Sequence, residues 1–224
     1  MKKGIIFCTM IAAMISSASA QSKTDLSLKV SAAAAANRKQ LAAYVWTRTV
    51  QVFLSGELKN TIVSSLSIGP DGKVLTTAVS STPTSAPPTR GIRGAVAKNK
   101  IDDLKTYIDE AIKVSAGYLY MSPGKMVDYF NAAGISQSGN TITVSGSNVN
   151  QPNDQVGLIL NSTTLGYISE SFKSAMSNGD AIAGTVNYKT FDNGLTAIDN
   201  AALDLPAKNL KLMISNSNYA QKLQ

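Results

Sequence analysis

The sequence predicts an α+β fold in which helices cover one side of a single antiparallel sheet. Runs of alternating apolar and polar residues are separated by short turns rich in glycine, proline, asparagine and aspartate, which is typical of neighbouring antiparallel strands. The segments with helical character stand apart from these runs, one before the first strand and one in the middle of the chain. No repeat or long linker divides the 224 residues, so we expect a single domain over residues 21–224.

The first twenty residues have the three parts of a secretory signal peptide. Two lysines precede an apolar run over residues 5–15, and Ala18-Ser19-Ala20 is an A-x-A cleavage site. The apolar run is shorter than the roughly 20 residues that a membrane-spanning helix needs. We therefore predict cleavage between Ala20 and Gln21 and release of a periplasmic or secreted protein without a transmembrane anchor.

The composition excludes several kinds of chemistry. Cys8 is the one cysteine and lies inside the predicted signal, too early for lipid attachment, so the protein is not expected to be a lipoprotein. Histidine is absent from the chain, which excludes Ser-His-Asp and Cys-His catalysis and the commonest zinc ligand. The net charge of +7 comes from scattered lysines, which does not favour nucleic-acid binding. No metal and no cofactor are predicted.

The first elements are a helix and a three-stranded meander. Five consecutive alanines predict a helix within residues 31–44, because alanine has the highest helix propensity. From Val45 the apolar residues recur at every second position, which indicates strands. Gly69-Pro70-Asp71-Gly72 is a turn sequence, so residues 45–81 are expected to form an antiparallel meander.

A proline-containing loop and two helices follow. Residues 80–98 contain three prolines and show no periodicity, so they are predicted to be a loop. A helix is predicted next, with an apolar stripe formed by Ile101, Leu104, Ile108, Ala111, Ile112, Ser115 and Leu119. Ser122 is expected to cap a second helix that starts at Pro123 and ends at Gly134.

Further strands are predicted in the last third of the chain. They are β-rich runs separated by clusters of turn-forming residues, at positions 141–144, 155–160, 165–172, 181–191 and 210–215. Residues 161–164 are expected to form a hairpin turn between two of them.

The chain contains two weak candidates for a catalytic site. Ser122 and Lys125 match the S-x-x-K pattern of penicillin-recognising enzymes, but this spacing is common by chance and Ser122 is already expected to be a helix cap. Asp102 and Asp109 could form an acid/base pair, but they alternate with lysines opposite the apolar stripe, as on a solvated helix face. We therefore do not predict an enzyme.

Several short motifs resemble a set of uncharacterised exported bacterial proteins. They are Tyr44-x-Trp46, Gly56-x-x-Lys59, Asp71-Gly72-Lys73 and Arg93-Gly94. More distantly, the layout is similar to the periplasmic lipoprotein-carrier superfamily, LolA/LolB-like, and the turn Asn161-Ser162-Thr163-Thr164 resembles its D-x-x-T turn with Asn in place of Asp. The resemblance implies a curved sheet, an open half-barrel, with an N-terminal helix and two central helices packed on one side.

Two functions follow as hypotheses. The first is a non-catalytic periplasmic or exported protein that holds an apolar or acyl-chain ligand, or a lipoprotein, in the half-barrel. The alternative is an interaction or scaffold module of the cell envelope with a filled core and no small-molecule ligand. Trp46 could be a core anchor or line the ligand cavity. The predicted apolar lining is Trp46, Val50, Val52, Leu104, Ile108 and Phe130, and the candidate residues for contact with an anion or a surface are Arg90, Arg93, Lys98 and Lys100.

Overall fold

The computed structural model describes the backbone of residues 4–83, 91–119 and 121–222 and, within these, the side chains of residues 22–83, 102–119 and 121–222. Three helices and ten strands make up this part of the chain. The helices are α1 (Gly4–Leu41), α2 (Gly91–Leu119) and α3 (Pro123–Ala132). Within the described residues, no helix combines the length and the apolar character that are needed to span a membrane.

The ten strands form one sheet in which every neighbouring pair is antiparallel. The strands are β1 (Tyr44–Leu54), β2 (Glu57–Ile68), β3 (Val74–Pro83), β4 (Gly134–Ser138), β5 (Thr141–Ser147), β6 (Gln155–Asn161), β7 (Tyr167–Ala175), β8 (Ala181–Thr190), β9 (Thr196–Leu205) and β10 (Leu210–Gln221). Their order is β3-β2-β1-β10-β9-β8-β7-β6-β5-β4. The sheet is open, with β3 and β4 at its two edges. The predicted α+β fold, an open half-barrel, is confirmed.

The strand order explains why the helices lie on one side of the sheet. Strands β1–β3 form one meander and β4–β10 form the other, and the pairing of β1 with β10 joins the two. The chain must therefore pass from β3 at one edge to β4 at the opposite edge. Helices α2 and α3 occupy this connection.

The helix boundaries differ from the predictions at two places. Helix α1 begins long before the predicted start at residue 31 and ends at Leu41, because the strand β1 already begins at Tyr44. The predicted loop over residues 80–98 is wrong for residues 80–83, which continue β3, and for residues 91–98, which belong to α2. Residues 91–98 are rich in good helix formers, and each of their glycines costs a helix only about 1 kcal/mol.

The buried face of α2 also differs from the predicted stripe. Ile112 is 50% exposed, whereas Tyr107 and Tyr118, which the stripe left out, are buried. Both tyrosines reach polar partners with their hydroxyl groups: Tyr107 donates to Asp180 and Tyr118 to Asp154, each at 2.9 Å. The hydroxyl partners allow these large side chains to be buried.

Two strands were not predicted. β4 is short and largely exposed, and β9 contains Asp199, Asn200 and several alanines, which have low strand propensity. β9 forms because β8 and β10 flank it and supply backbone partners on both sides. The other predicted strands and both predicted turns are present: Gly72 donates its N–H to Gly69 O, and Asn161 Oδ1 accepts the N–H groups of Thr163 and Thr164.

Aromatic side chains fill the space between the helices α2 and α3 and the sheet. The ring of Tyr118 stacks on Phe172 with centroids 4.7 Å apart. Phe172 lies so close to Gly184 that a Cβ at that position would be only 2.2 Å from its ring, so the stack requires a glycine on β8. Tyr129 of α3 donates to the carbonyl oxygens of Val144 and Val156. This half of the structure has a packed core.

A buried carboxylate holds the junction between the helices and the sheet. Asp154, which is 1% exposed, accepts hydrogen bonds from the backbone N–H groups of Val149, Asn150 and Gln151 and from the Tyr118 hydroxyl. Burial alone would raise the pKa of Asp154, but these four donors hold it below its ordinary value. The carboxylate therefore stabilises the loop on which the C-terminal end of α2 rests.

We predict that Asp154→Asn lowers the free energy of unfolding by about 2–4 kcal/mol, because an amide nitrogen would face N–H donors in a buried site. Asp204→Asn is the matched control, since Asp204 is half exposed in an ion pair with Lys211 and should change stability by less than about 1 kcal/mol. Urea unfolding of the two variants measures the difference. The contribution of Asp154 is complete above its unfolded-state pKa near 3.8 and is lost as the pH falls below that value, through the lower folded-state pKa. Equal loss of stability in both variants would contradict the assignment.

Candidate functional site

A cavity of about 590 Å³ lies between the C-terminal half of α1 and the concave face of the sheet. Its volume falls in the range of roughly 300–1,000 Å³ that is usual for ligand sites. One wall is α1, the floor is formed by strands β1, β8, β9 and β10 with the turn before β7, and Leu119, Met121 and Met126 close the end next to α3. The cavity is the principal candidate for a functional site.

Polar contacts in the middle of α1 and near its C-terminus hold the helix in place. Near its C-terminus, Asn37 forms two hydrogen bonds of 2.7 Å with the backbone of Thr196, one as donor and one as acceptor. In the middle of the helix, Lys23 donates to the carbonyl oxygen of Ala133 and Thr24 donates to the side chain of Asn131. Together with Val30, which is fully buried in the core, these contacts set the position of α1 over the sheet.

Small side chains on α1 leave the cavity open. Ala33 and Ala34 are half-buried and line the cavity, and neither reaches beyond its Cβ atom. The apolar residues that face them from the other side include Leu165, Ala197 and Ile198. The alanine run, predicted only as a strong helix former, is also what makes room for the cavity.

Trp46 lies at the boundary between a small core and the cavity. It is 5% exposed, packs with Leu66 and Ile68, and stacks on Tyr219 with ring centroids 5.8 Å apart. The same side chain is part of the cavity lining. The two interpretations of Trp46 from the sequence are therefore compatible: it packs in a core and one of its surfaces faces the cavity.

The cavity also has a polar side. Arg48 donates from Nε to Asn216 Oδ1 at 3.1 Å, and Asn216 in turn donates to the carbonyl oxygen of Ile198. Among the described residues that line the cavity, none is acidic. The floor of the cavity thus combines apolar surface with an arginine that is held in one orientation.

A buried carboxyl group lies next to this floor. Glu170 on β7 is 3% exposed and points to the concave side, in phase with Phe172. Its Oε2 accepts a hydrogen bond of 3.2 Å from the hydroxyl of Tyr188, a residue that lines the cavity. Burial raises the pKa of Glu170 to about 8, although the Tyr188 hydrogen bond acts in the opposite direction.

Most of the predicted lining residues lie in the core and not around the cavity. Val52 and Phe130 are buried in the core cluster, and Val50, Leu104 and Ile108 pack against it half-buried. Of the six predicted lining residues, Trp46 is the one that lines the cavity in the described part of the chain. Their predicted contact with a ligand stays a prediction.

The other predicted positions are not brought together into a site. Arg93, Lys98 and Lys100 belong to α2, in a stretch whose side chains lie outside the described residues, and Arg90 lies outside them altogether. Ala20 and Gln21 are part of the backbone of α1, and cleavage between them stays a prediction.

The side chains of Ser122 and Lys125 bind different partners. Ser122 Oγ accepts the backbone N–H of Lys125 and caps α3, as predicted, while Lys125 Nζ donates to Asn150. The predicted solvated acids are also in place: Asp102, Asp103 and Asp109 are exposed. Among the described residues, no group of histidine, cysteine or acidic side chains could hold a metal ion.

The sequence contained a signal for Glu170 that periodicity analysis alone overlooked. In the run Ile168-Ser169-Glu170-Ser171-Phe172 the glutamate alternates in phase with a large aromatic residue. A charged residue at an inward position of a strand is rarely buried without a partner, and it marks a candidate site. Tyr188 and Asn216 offer no such local signal. Both line the cavity because the fold brings together elements that are far apart in the sequence.

The chain matches no model of a known protein family, and no curated protein sequence is similar to it. Solved structures with a similar fold include the following two. A DUF1329 family protein from Desulfovibrio piger is 9% identical, with a TM-score of 0.41 over 91% of this chain and 93% of the other. A LolA superfamily protein from Nitrosomonas europaea is 10% identical, with a TM-score of 0.32 over 92% and 94%.

We predict that Glu170→Gln stabilises the protein at pH 8 by more than about 1 kcal/mol relative to the unsubstituted chain. A carboxyl whose pKa is raised from 4.5 to about 8 by folding stabilises the fold fully below pH 4.5 and loses this contribution as the pH rises toward 8. Glutamine at position 170 does not titrate, so the difference in free energy of unfolding between the variant and the unsubstituted chain should grow between pH 5 and pH 8. Thermal unfolding across this range measures it, and a constant difference would show that Glu170 is ionised in the folded state.

Proposed function

We propose that the protein binds an acyl chain or another apolar ligand in the cavity between α1 and the sheet, and that it does so without catalysis. The observation that carries the proposal is the cavity of about 590 Å³ under the C-terminal half of α1, where alanines of the helix form part of the lining. Burial of apolar ligand surface against Trp46, Leu165 and Ile198 would supply the affinity.

The alternative, an envelope interaction module without a small-molecule ligand, predicts a filled interior. The half of the sheet under α2 and α3 has such an interior, with Tyr118, Tyr129, Phe130 and Phe172 in contact. The half under α1 differs, because alanines face the floor of the cavity there. This difference within one sheet favours the ligand-binding proposal.

We also propose that the protein acts outside the cytoplasm after removal of residues 1–20, as a lipid or lipoprotein carrier of the periplasm or as a secreted binding protein. The signal-like N-terminus supports this proposal. The mass of the protein recovered from a bacterial expression host should correspond to a chain that starts at Gln21. A mass that retains residues 1–20 in the exported fraction would contradict it.

We predict that Ala34→Phe weakens ligand binding by about tenfold or more, because the phenyl ring would occupy the cavity. Ala32→Phe is the matched control: it makes the same substitution on the same helix at an exposed position outside the lining. Trp46 is the one tryptophan of the chain and lines the cavity, so its fluorescence reports a titration with fatty acids of different length.

Native mass spectrometry of the same samples gives the stoichiometry, which should be one ligand per chain. Equal affinity of the two phenylalanine variants would place the ligand elsewhere. If the unsubstituted protein takes up no fatty acid and changes no Trp46 emission, the ligand-binding proposal is wrong.

A further inference from the structure

Glu170 is a buried carboxyl group with fewer hydrogen-bond partners than its two oxygens can accept. Its Oε2 has the Tyr188 hydroxyl as a partner, but its Oε1 is buried without a hydrogen-bond partner. A buried carboxylate oxygen without a partner is costly, and proteins usually avoid it. An orphan oxygen of this kind in a native fold therefore calls for a functional explanation.

Three tyrosines interact with Glu170: Tyr167 on its own strand, Tyr188 on β8 and Tyr129 on α3. Burial raises the pKa of Tyr129 and of Tyr167 above its ordinary value, so both hydroxyl groups stay neutral well beyond pH 9. Among the described residues, no lysine or arginine forms an ion pair with Glu170.

Two of these tyrosines connect Glu170 with the cavity. Tyr167 and Tyr188 both line it, and their ring centroids are 5.4 Å apart. Glu170 thus lies directly behind the cavity surface, in hydrogen-bond contact with one of its lining side chains. Water in an empty cavity can reach this surface, whereas an apolar ligand would displace that water.

We propose that Glu170 couples proton binding to ligand binding. Its carboxyl group is neutral when the cavity is filled, and ionisation of this group lowers the affinity for the ligand. The coupling rests on the proposed function. Displacement of water by an apolar ligand removes the solvent that favours the charged form of a buried carboxyl. Because coupling between two sites is reciprocal, loss of the proton must lower the affinity for the ligand by the same factor.

The test is the affinity for a neutral apolar dye, N-phenyl-1-naphthylamine, between pH 6 and pH 9.5, where the charge of the dye does not change. We expect a constant dissociation constant near pH 6 and an increase of about fivefold or more by pH 9.5. Glu170→Gln should bind the dye with the same affinity over the whole range. The absence of histidine from the chain removes the commonest other cause of a transition in this range.

Glu57→Gln is the matched control, since it removes the same charge from an exposed position on β2. It should keep the pH dependence of the unsubstituted protein. A dissociation constant that is independent of pH in the unsubstituted protein overturns the coupling and leaves the ligand-binding proposal standing. Parallel increases in Glu170→Gln and the unsubstituted protein also overturn the coupling. Absence of dye binding at every pH overturns the proposed function and the coupling with it.

Tyr188→Phe tests the same inference without changing Glu170. The Tyr188 hydrogen bond favours the ionised carboxylate, so its removal should move the midpoint of the affinity change to higher pH. Direct titration of the Glu170 carboxyl carbon by NMR in the ligand-free protein should show the same upward movement. An unchanged midpoint in both measurements would overturn the assignment of the transition to Glu170.

Discussion

The structure depends on how α1 is held over the concave face of the sheet. The Asn37 amide binds both backbone groups of Thr196, and Lys23 and Thr24 attach the helix to the end of α3. These hydrogen bonds and the burial of Val30 in the core set the height of α1 above the sheet, and the alanines that follow Val30 add no large side chain. Alanines at that height cannot reach the floor, so a cavity is a consequence of the helix position and the alanine composition together.

The space between the helices and the sheet is filled differently in the two halves of the structure. The passage of the chain from β3 to β4 places α2 and α3 over strands β4 to β8, where stacked aromatic rings fill the space. The junction is held by Asp154, whose charge is satisfied by four donors. Glu170, on β7, has one hydrogen-bond partner for its two carboxyl oxygens. One buried acid therefore stabilises the fold, and the other lies next to the cavity with one oxygen that has no hydrogen-bond partner.

Local patterns in the sequence predicted local features well. The alternation in β1 and β2, the turn at Gly72 and the cap at Ser122 each follow from a few neighbouring residues, and all are present. Features that depend on distant partners were missed. β9 forms because its neighbours in the sheet supply partners, and the cavity combines α1 with strands from the other end of the chain. No local period indicates which apolar residues face a cavity and which, like Phe130, fill a core.

A crystal structure of the protein with a fatty acid that carries a bromine atom on its last carbon would show whether the ligand binds between α1 and the sheet. The anomalous signal of bromine locates the end of the acyl chain without prior assumptions about the site. We expect a single bromine peak between α1 and the sheet, near the lining residues Leu119, Met121 and Met126 or beside Trp46. A bromine peak on the convex face of the sheet, or an empty cavity in crystals that contain the ligand, would contradict it.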